Sequence, residues 1–326
     1  MSYHTSMCHT AVFYGEALAK YGFGVSHPFG TDRLDAFWSR LQSESIDNVV
    51  VEMPVMAATQ AALSFHDTEY IQLVKAASKR GDVLLDSGDT PAFKGAFEAS
   101  LCVVGSTLAA LDMVVTGRDS RERRVDHAFN PIGGLHHARR DSAGGFCIFN
   151  DIGVAIVAAR EKYDIKRIAY IDIDAHHGDG IFYEFEEDPL LFFADIHEDG
   201  RYLYPGSGSV NEIGKGAAAG AKLNIPLQPS AGDDKFLEAF DKIERFVDNV
   251  KPELIILQCG ADGLAGDPIT HLQYTSKAHR FAAASLHKLA HKHCNGRIIA
   301  LGGGGYSRAN IGTAWTEVVK SFARDS

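Results

Sequence analysis

Cysteine is scarce in this sequence, with five residues among 326. They are widely spaced and include no CxxC pair, which argues against a disulfide framework and against a cysteine zinc cluster. An odd number of scattered cysteines favours reduced thiols, so a cytoplasmic location is expected. The five are Cys8, Cys102, Cys147, Cys259 and Cys294.

Long apolar runs and an excess of positive charge are also missing. No run of about 18 apolar residues occurs, so no membrane span is expected, and Met1 to Thr10 lack the regions of a signal peptide. The net charge of −10 disfavours nucleic acid and anionic membranes as partners and suits a cationic substrate. The only short basic run, Arg118–Arg124, also carries two acidic residues and is predicted to be a solvated loop.

The sequence does contain a regular alternation of short, apolar, strand-like runs with longer amphipathic stretches. This alternation predicts an α/β fold with an open, mostly parallel sheet and helices on both faces, in three α/β/α layers. No repeat, low-complexity tract or linker interrupts it, so one domain over residues 1–326 is expected. The predicted strands are Thr10–Tyr14, Asn48–Met53, Arg167–Asp174, Leu190–Ile196, Leu254–Gln258 and Arg297–Leu301, and the predicted helices lie near Thr31–Ser45, Asp67–Lys79, Pro91–Thr116, Asn150–Lys162, Asp233–Val250, Thr275–His291 and Tyr306–Ala323.

One of these strand-like runs ends in a group of ionisable side chains. If the strand alternation continues, Asp172, Asp174 and His176 share one face. Two carboxylates and an imidazole at the end of a buried strand are costly unless a cation or hydrogen bonds compensate them. A divalent metal is the simplest compensation, and in parallel sheets ligands bind outside the carboxyl ends of the strands. The motif therefore makes this chain an enzyme candidate.

Three further segments add side chains of the same kind. They supply a histidine pair, another carboxylate and a tyrosine that follows a glycine run. Glycines allow a backbone to approach a pocket closely and to adopt positive φ. The segments are Gly133–Ala138 with Gly144–Asp151, Gln258–Pro268, and Leu301–Tyr306.

With these motifs in this order, the sequence resembles the histone deacetylase family, including its bacterial acetoin-utilisation and acetylpolyamine amidohydrolase relatives. The resemblance extends over nearly the whole chain. It implies an open α/β fold of the arginase/deacetylase type and zinc-dependent hydrolysis of an acylated amine. Beyond the segments above, it rests on Tyr21–Gly24, His27–Pro28 and Gly88–Pro91.

The resemblance implies one zinc ion per chain, held by Asp174, His176 and Asp262. Three protein ligands leave a coordination position open for water and a substrate carbonyl, as a catalytic zinc site requires. An isolated Asp-x-His could instead cap a strand–loop junction. The accompanying carboxylate and histidine pair favour the metal site.

The same resemblance assigns catalytic roles around the metal. His137 is implied as the general base, oriented by Asp179, while His136 pairs with Asp172 as an electrostatic partner. Each imidazole needs an acceptor on its second nitrogen to fix its tautomer. Which histidine carries the proton stays open. Tyr306 is implied as the donor that stabilises the tetrahedral oxyanion.

Substrate-binding positions also follow from the resemblance. Phe146, next to Gly145, and Tyr204 are implied as two aromatic walls around the aliphatic stem of the substrate. In many relatives the second wall is phenylalanine, so Tyr204 would change the polarity at the mouth. Ile269 is expected on the rim. Asp89 is implied to hold substrate backbone amides or, for a polyamine, a distal ammonium group, although a plain turn residue is the alternative.

Two positions carry weaker implications. Arg33 resembles an arginine beside an internal path for acetate release, with a helix-end ion pair as an equal alternative. Several relatives have serine where Asp195 stands, at a K⁺ site formed with Asp172, Asp174 and His176. The extra carboxylate keeps a structural K⁺ plausible but leaves its geometry open.

Two competing interpretations are considered. A binuclear, arginase-type centre needs a further aspartate two residues after the first histidine of Asp-x-His, where this chain has Gly178. A non-catalytic module that binds acyl-lysine would lack a metal ligand, His137 or Tyr306, and none is lacking. The substrate stays open among protein acetyl-lysine, acetylpolyamines and other short-chain acyl amines.

Overall fold

The computed structural model describes residues 8–24 and 26–324. The strands are β1 (Thr10–Phe13), β2 (Val49–Glu52), β3 (His127–Asn130), β4 (Ile168–Asp172), β5 (Leu191–Glu198), β6 (Lys222–Leu227), β7 (Leu254–Gln258) and β8 (Ile298–Leu301). They form one eight-stranded sheet in the order β2-β1-β3-β8-β7-β4-β5-β6. All neighbouring strands pair in parallel.

Helices surround this sheet, which confirms the predicted three-layer α/β/α architecture. They are α1 (Glu16–Ala19), α2 (Arg33–Ser43), α3 (Thr59–Leu63), α4 (Thr68–Arg80), α5 (Ala96–Thr116), α6 (Asp151–Tyr163), α7 (Asp179–Glu184), α8 (Asp233–Val250), α9 (Ser276–His293) and α10 (Arg308–Phe322), with a 3₁₀ turn at Gly216–Ala218.

Two strands lie outside the predicted runs. β3 is short, and His127 and Asn130 at its ends are polar, so its apolar signal is weak although every residue in it is buried. β6 contains Pro226, a residue that disfavours central strands. Because β6 is the last strand at one edge of the sheet, the missing N–H of Pro226 costs no ladder hydrogen bond on the outer side.

Among the predicted boundaries that are wrong, those of β4 and α5 bear on the candidate site. β4 ends at Asp172 rather than Asp174, so Asp174 and His176 lie in a tight turn after the strand and do not continue its alternation. In that turn the backbone N–H of Asp174 donates to Oδ1 of Asp172 at 3.1 Å. Helix α5 begins five residues after Pro91 because Pro91 pairs with Leu84 in an isolated bridge.

The sheet register brings the motif-bearing segments together. Asp172 at the end of β4 lies opposite Asp195 of β5 and Gln258 of β7, and Gln258 lies opposite Leu301 of β8. The loops that follow these strands therefore all leave the sheet at the carboxyl ends of the strands, where parallel α/β sheets bind ligands.

Helix α5 is long and apolar enough, by length and composition alone, to cross a membrane, and it is the only such helix in the described ranges. Its most apolar window is 72% buried inside the fold, and Glu98 and Asp112 interrupt its apolar sequence. Core helices of globular proteins share this character, so the helix is weak evidence for a membrane span.

Candidate active site

Three acidic and imidazole side chains converge where β4 and β7 end. Asp174 and His176 follow β4, and Asp262 follows β7. Nδ1 of His176 lies 3.0 Å from Oδ1 of Asp174 and 3.1 Å from Oδ2 of Asp262. One ligand atom from each residue lies within 4.8 Å of the others, and all three residues are buried. The structure thus brings the three sequence-predicted metal ligands to one point.

Hydrogen-bond donors fix both carboxylates of this group. Oδ2 of Asp174 accepts from Nε2 of Gln258 at 2.8 Å and from the backbone N–H of Gly304 at 2.8 Å. Oδ1 of Asp262 accepts from the backbone N–H of Ala175 at 2.9 Å. Outer partners of this kind orient metal ligands and leave the remaining oxygens directed at the shared point.

The charge balance of the group calls for a cation. Burial lowers the pKa of His176, but hydrogen bonds to Asp174 and Asp262 outweigh that effect and raise it to about 10. Burial, then the charge of Asp174, raises the pKa of Asp262 to about 7. These two carboxylates favour a proton on Nδ1 of His176, and a metal ion bound there would replace that proton. An oxygen–nitrogen–oxygen donor set with three ligands fits a divalent metal that keeps one position open.

The two adjacent histidines are each held by a different carboxylate. Nδ1 of His136 lies 2.8 Å from Oδ2 of Asp172, and Nδ1 of His137 lies 2.7 Å from Oδ1 of Asp179. Arg139 donates to the other oxygen of Asp179 at 3.0 Å. Burial, then the neighbouring His136, lowers the pKa of His137 to about 4. His137 is therefore neutral near pH 7 and can accept a proton.

Tyr306 follows the glycine run after β8. Its backbone N–H donates to Oδ2 of Asp267 at 2.8 Å, which fixes where the side chain leaves the loop. Burial, then the charges of Asp262 and Asp174, raises the pKa of the phenol well above its usual value. The hydroxyl therefore keeps its proton and remains a hydrogen-bond donor.

A cavity of about 190 Å³ connects this group with the surface. Drug-sized ligands occupy pockets of about 300–1,000 Å³, so this cavity suits a narrow substituent. Its walls combine the predicted substrate-binding residues with two of the predicted catalytic ones. The lining residues are Asp89, His137, Gly145, Phe146, His176, Leu203, Tyr204, Ile269 and Tyr306.

The backbone at the first aromatic wall is strained and strongly held. Phe146 adopts φ 68°, an uncommon value for a bulky residue. Its N–H donates to Oγ1 of Thr90 at 3.0 Å, and its carbonyl accepts from the hydroxyl of Tyr21 at 2.7 Å. A Cβ at Gly145 would lie 2.3 Å from the ring of His137. Only glycine therefore allows the wall to approach the histidine.

Asp89 lies at the exposed rim of the cavity. Nε2 of His27 lies 3.1 Å from its carbonyl oxygen, so the side-chain carboxylate is not used in that contact. Burial, then the nearby Asp86, raises the pKa of Asp89. The position is compatible with the predicted contact to a substrate donor.

Arg33 supports the glycine run. Its side chain is fully buried, and it donates to the carbonyls of Gly305 at 2.9 Å and Gly303 at 2.6 Å. The guanidinium carbon lies 3.9 Å from the ring centroid of Phe29. These partners of Arg33 among the described residues are carbonyls and an aromatic ring rather than a carboxylate, which disfavours the alternative of a helix-end ion pair.

Asp195 forms a buried ion pair beneath the metal group. Its Oδ2 accepts from the N–H of Gly178 at 2.8 Å, and its Oδ1 lies 2.7 Å from Nδ1 of His197. Nε2 of His197 lies 2.9 Å from the carbonyl of Gly208. Both ring nitrogens face acceptors, and Asp195 raises the pKa of His197 against the effect of burial. A carboxylate at one ring nitrogen and a carbonyl at the other favour the doubly protonated ring, whose charge partly neutralises Asp195.

Several supporting residues have no assigned role in the sequence interpretation. Gln258 and Asp267 lie inside a quoted motif, Gln258 as the polar last residue of apolar β7 and Asp267 in the loop that follows it, so their polarity was an available signal. Tyr170, whose hydroxyl donates to Asp172, looks like an ordinary strand residue. Arg139 and Leu203 act only through the folded loops, so sequence offered no signal for them.

Comparisons with known proteins agree with this geometry. A family profile described as histone deacetylase domain matches residues 27–322. The chain is 38% identical over 320 residues to the acetoin utilization protein AcuC of Bacillus subtilis (strain 168), covering 95% of this chain and 79% of that protein. The corresponding protein of Staphylococcus xylosus is 32% identical, with coverage of 95% and 81%. The crystal structure of the HDA15 HD domain superposes with a TM-score of 0.87 at 25% identity, covering 97% of this chain and 90% of that one.

Proposed function

This chain belongs to the histone deacetylase family and is on that ground a deacetylase; we propose that it is a mononuclear zinc amidohydrolase. In this proposal it removes an acetyl or short acyl group from a lysine side chain or a similar primary amine. We further propose that one catalytic domain comprises residues 1–326 and acts in the cytoplasm.

One observation carries the proposal. His176, one member of the buried ligand group with Asp174 and Asp262, lines a narrow cavity that His137 and Tyr306 also line. A base, an oxyanion donor and a candidate Lewis-acid site therefore face the same small volume. Amide hydrolysis requires these three groups together.

Each residue then has a defined task. When bound, zinc would polarise the acyl carbonyl and lower the pKa of the attacking water towards about 7. Nε2 of His137 takes a proton from that water and later gives it to the leaving amine, while Asp179 holds the opposite nitrogen. The hydroxyl of Tyr306 donates to the developing oxyanion, a contact worth about 2.7–4 kcal/mol in comparable sites.

The cavity that leads to these groups favours a linear aliphatic substituent. Phe146 and Tyr204 lie on its walls with Leu203 and Ile269, so the stem of the substrate contacts apolar and aromatic surface. Asp89 at the rim offers an acceptor for a peptide N–H or an ammonium group. Protein acetyl-lysine is the first candidate, and an acetylated polyamine is the second because it would pair its distal cation with Asp89.

One set of measurements tests both the substrate class and the requirement for metal. Hydrolysis rates are compared on an acetyl-lysine peptide, a trifluoroacetyl-lysine peptide and N-acetylputrescine, using zinc-loaded protein and protein stripped by a chelator. We expect hydrolysis only with metal. Asp174→Asn should lose one zinc equivalent and the activity. Binding of the acetyl-lysine peptide without turnover in the zinc-loaded protein would favour the non-catalytic module, and loss of two equivalents in Asp174→Asn would favour a binuclear centre.

We expect His137→Ala and Tyr306→Phe each to lower kcat by about 10²–10³-fold. Both side chains act on protons or developing charge rather than as ligands, so zinc at the Asp174 group should remain bound. Turnover and zinc content of the same preparations check this expectation. Wild-type kcat in either variant would refute the role assigned to that residue.

We also propose a structural K⁺ beneath the zinc. It is supported by the buried carboxylates of Asp172 and Asp195, which lie opposite each other in the sheet register, and burial followed by the charge of Asp195 raises the pKa of Asp172. The imidazolium of His197 competes for the same role. Activity and melting temperature are measured in KCl and in a chloride salt of a bulky organic cation, and no difference between them would reject the K⁺ site.

A further inference from the structure

A second group of metal-type side chains lies at the amino ends of the strands, the end of the sheet opposite to the cavity. Cys8 precedes β1, His127 is the first residue of β3, and His287 and His291 are four residues apart on α9. A separation of four places both histidines on one helix face. One ligand atom from each of the four lies within 4.8 Å of the others.

Three of the separations between these atoms are close to the edges of a coordination tetrahedron. Nε2 of His291 lies 3.3 Å from Nε2 of His127, and Sγ of Cys8 lies 3.5 Å from His291 Nε2 and 3.8 Å from His287 Nε2. With zinc–nitrogen bonds of about 2.0–2.1 Å and zinc–sulfur bonds of about 2.3 Å, a tetrahedron has N···N edges of about 3.3 Å and N···S edges of about 3.6 Å.

Backbone carbonyls fix the orientation of two of the rings. Nδ1 of His127 lies 2.9 Å from the carbonyl of Gly296, and Nδ1 of His287 lies 2.9 Å from the carbonyl of Ser321. A carbonyl can only accept, so each Nδ1 carries the hydrogen and each Nε2 presents a lone pair to the group. Metal-binding histidines are held in this way by their outer partners.

The surroundings largely exclude water. Cys8, His127 and His287 are buried, and His291 is half-buried. A buried set of four nitrogen and sulfur donors is typical of a structural metal site.

We propose that Cys8, His127, His287 and His291 form a closed, structural Zn²⁺ site. One thiolate and three imidazoles in a tetrahedral arrangement select zinc among the common divalent ions. Four protein ligands leave no open position, so this site binds no substrate. Its role is to connect the segment before β1, the start of β3 and the C-terminal half of α9.

A set of hydrogen bonds is the competing explanation. The Cys8 thiol could donate to His287, and Nε2–H of His291 could donate to Nε2 of His127, so the four groups would be satisfied without an ion. Cobalt substitution distinguishes the two. A thiolate bound to Co²⁺ gives an intense charge-transfer absorption in the near ultraviolet, and the Asp174, His176 and Asp262 group contains no sulfur.

The full chain is stripped of metal, loaded with Co²⁺ and followed by absorption, while zinc content is measured on separate zinc-loaded samples. We expect the charge-transfer band in wild type and in Asp174→Asn, and its loss in Cys8→Ser. Zinc content should be about two per chain in wild type and about one in Cys8→Ser and in Asp174→Asn. A wild type that binds Co²⁺ without this band overturns the proposal, as does a Cys8→Ser variant that retains it.

Matched variants guard against misfolding. Cys102→Ser replaces another buried cysteine, and His293→Gln replaces a neighbouring histidine of α9 that pairs with Asp248; both should keep the band and the zinc. His291→Gln, at the half-buried ligand, should lose one zinc equivalent while circular dichroism stays that of wild type. Full zinc retention in folded His291→Gln rejects the site. If the catalytic zinc proposal alone fails, Asp174→Asn keeps the wild-type metal content and the band persists.

Discussion

The histidine pair illustrates how one hydrogen can decide the function of a residue. Nε2 of His136 and Nε2 of His137 lie 3.0 Å apart, so one ring must donate a hydrogen to the other. His137 lines the cavity, and its Nδ1 lies against Asp179. If that Nδ1–H donates to Asp179, Nε2 of His137 carries the lone pair that a general base requires, and the attacking water must replace the contact with His136 at that atom. The assignment of His137 as base thus depends on Asp179 remaining a carboxylate.

Asp179→Asn should therefore change the orientation and tautomer of the His137 ring without changing substrate binding. An amide can present N–H to Nδ1 of His137, which moves the ring hydrogen to Nε2 and removes the base. We expect kcat to fall by about 10²–10⁴-fold, with KM within a factor of about three because Asp179 does not line the cavity. Steady-state kinetics on the acetyl-lysine peptide give both constants.

Asp112→Asn is the control for this substitution, because Asp112 forms surface contacts with Lys162 and Tyr163. It should leave kcat unchanged. Zinc content and circular dichroism of both variants exclude loss of metal or of fold. A fall confined to KM in Asp179→Asn would contradict the orienting role.

The path of the glycine loop after β8 determines how much space is left for the carboxylates of Asp174 and Asp262. A Cβ on Gly304 would lie 2.3 Å from Oδ2 of Asp262 and 2.7 Å from Oδ2 of Asp174. Gly303 has φ 69°, and a Cβ there would lie 2.1 Å from Nε2 of Gln258. Close approach, rather than flexibility, thus explains the glycines.

Gly304→Ala should weaken metal binding at this group without unfolding the protein. The methyl group displaces both carboxylates and removes the space in which the Gly304 N–H supports Asp174. We expect the affinity for zinc at the Asp174 group to fall by about 10–100-fold, measured by competition with a chromogenic chelator. Gly232→Ala is the control, because its Cβ would meet one atom at the ordinary distance of 3.5 Å. Equal affinities in the two variants would be inconsistent with this explanation.

The strands show how much of the fold could be predicted from the sequence. β4, β5, β7 and β8 begin with or consist of apolar runs, so their positions were predictable. Their parallel arrangement also predicted that the site lies at the carboxyl ends of the strands. The position of β3 was not predictable. Burial of its polar residues His127 and Asn130 is compensated by hydrogen bonds to residues distant in sequence, such as Gly296 and Thr107. Tertiary partners of this kind leave no local pattern.

The proposed ligand set followed from the resemblance of the motifs to a known family, whereas the residues that support it did not. Asp174 and His176 follow the apolar run of β4, and Asp262 follows that of β7 and precedes Gly263. Arg139 is an ordinary basic residue in the sequence, and its contact with Asp179 exists only once the loop after β3 lies over α7. The sequence therefore indicated which side chains come together at the site, but not which residues orient them.

Buried neutral histidines are spread through the whole molecule, and they couple its stability to pH. His66 is an example far from the metal group. Its Nε2 accepts from the backbone N–H of Asn150 at 2.9 Å, and its Nδ1 lies 3.3 Å from the carbonyl of Arg140. Burial lowers its pKa to about 4 from 6.5. Protonation at Nε2 would break the bond to Asn150, which caps α6.

The sign of the effect follows from this depressed pKa. Between pH 6.5 and 4 the unfolded chain binds a proton at this position and the folded chain does not. The contribution of His66 is complete above about pH 6.5 and is lost as the pH falls towards 4, by up to about 3 kcal/mol. His279, also lowered to about 4 by burial, acts in the same direction.

His66→Gln should therefore make the molecule less sensitive to acid. Glutamine keeps a donor and an acceptor but takes up no proton, so at pH 7.5 we expect the variant to be less stable by about 1–2 kcal/mol through imperfect bonding. That difference should shrink or reverse at pH 5, where wild type loses the contribution of His66. Urea unfolding at both values measures it, with both proteins free of metal so that protonation of metal ligands contributes equally. A stability difference that is the same at pH 7.5 and pH 5 would show that His66 does not couple folding to protons, because a purely steric defect has no reason to change with pH.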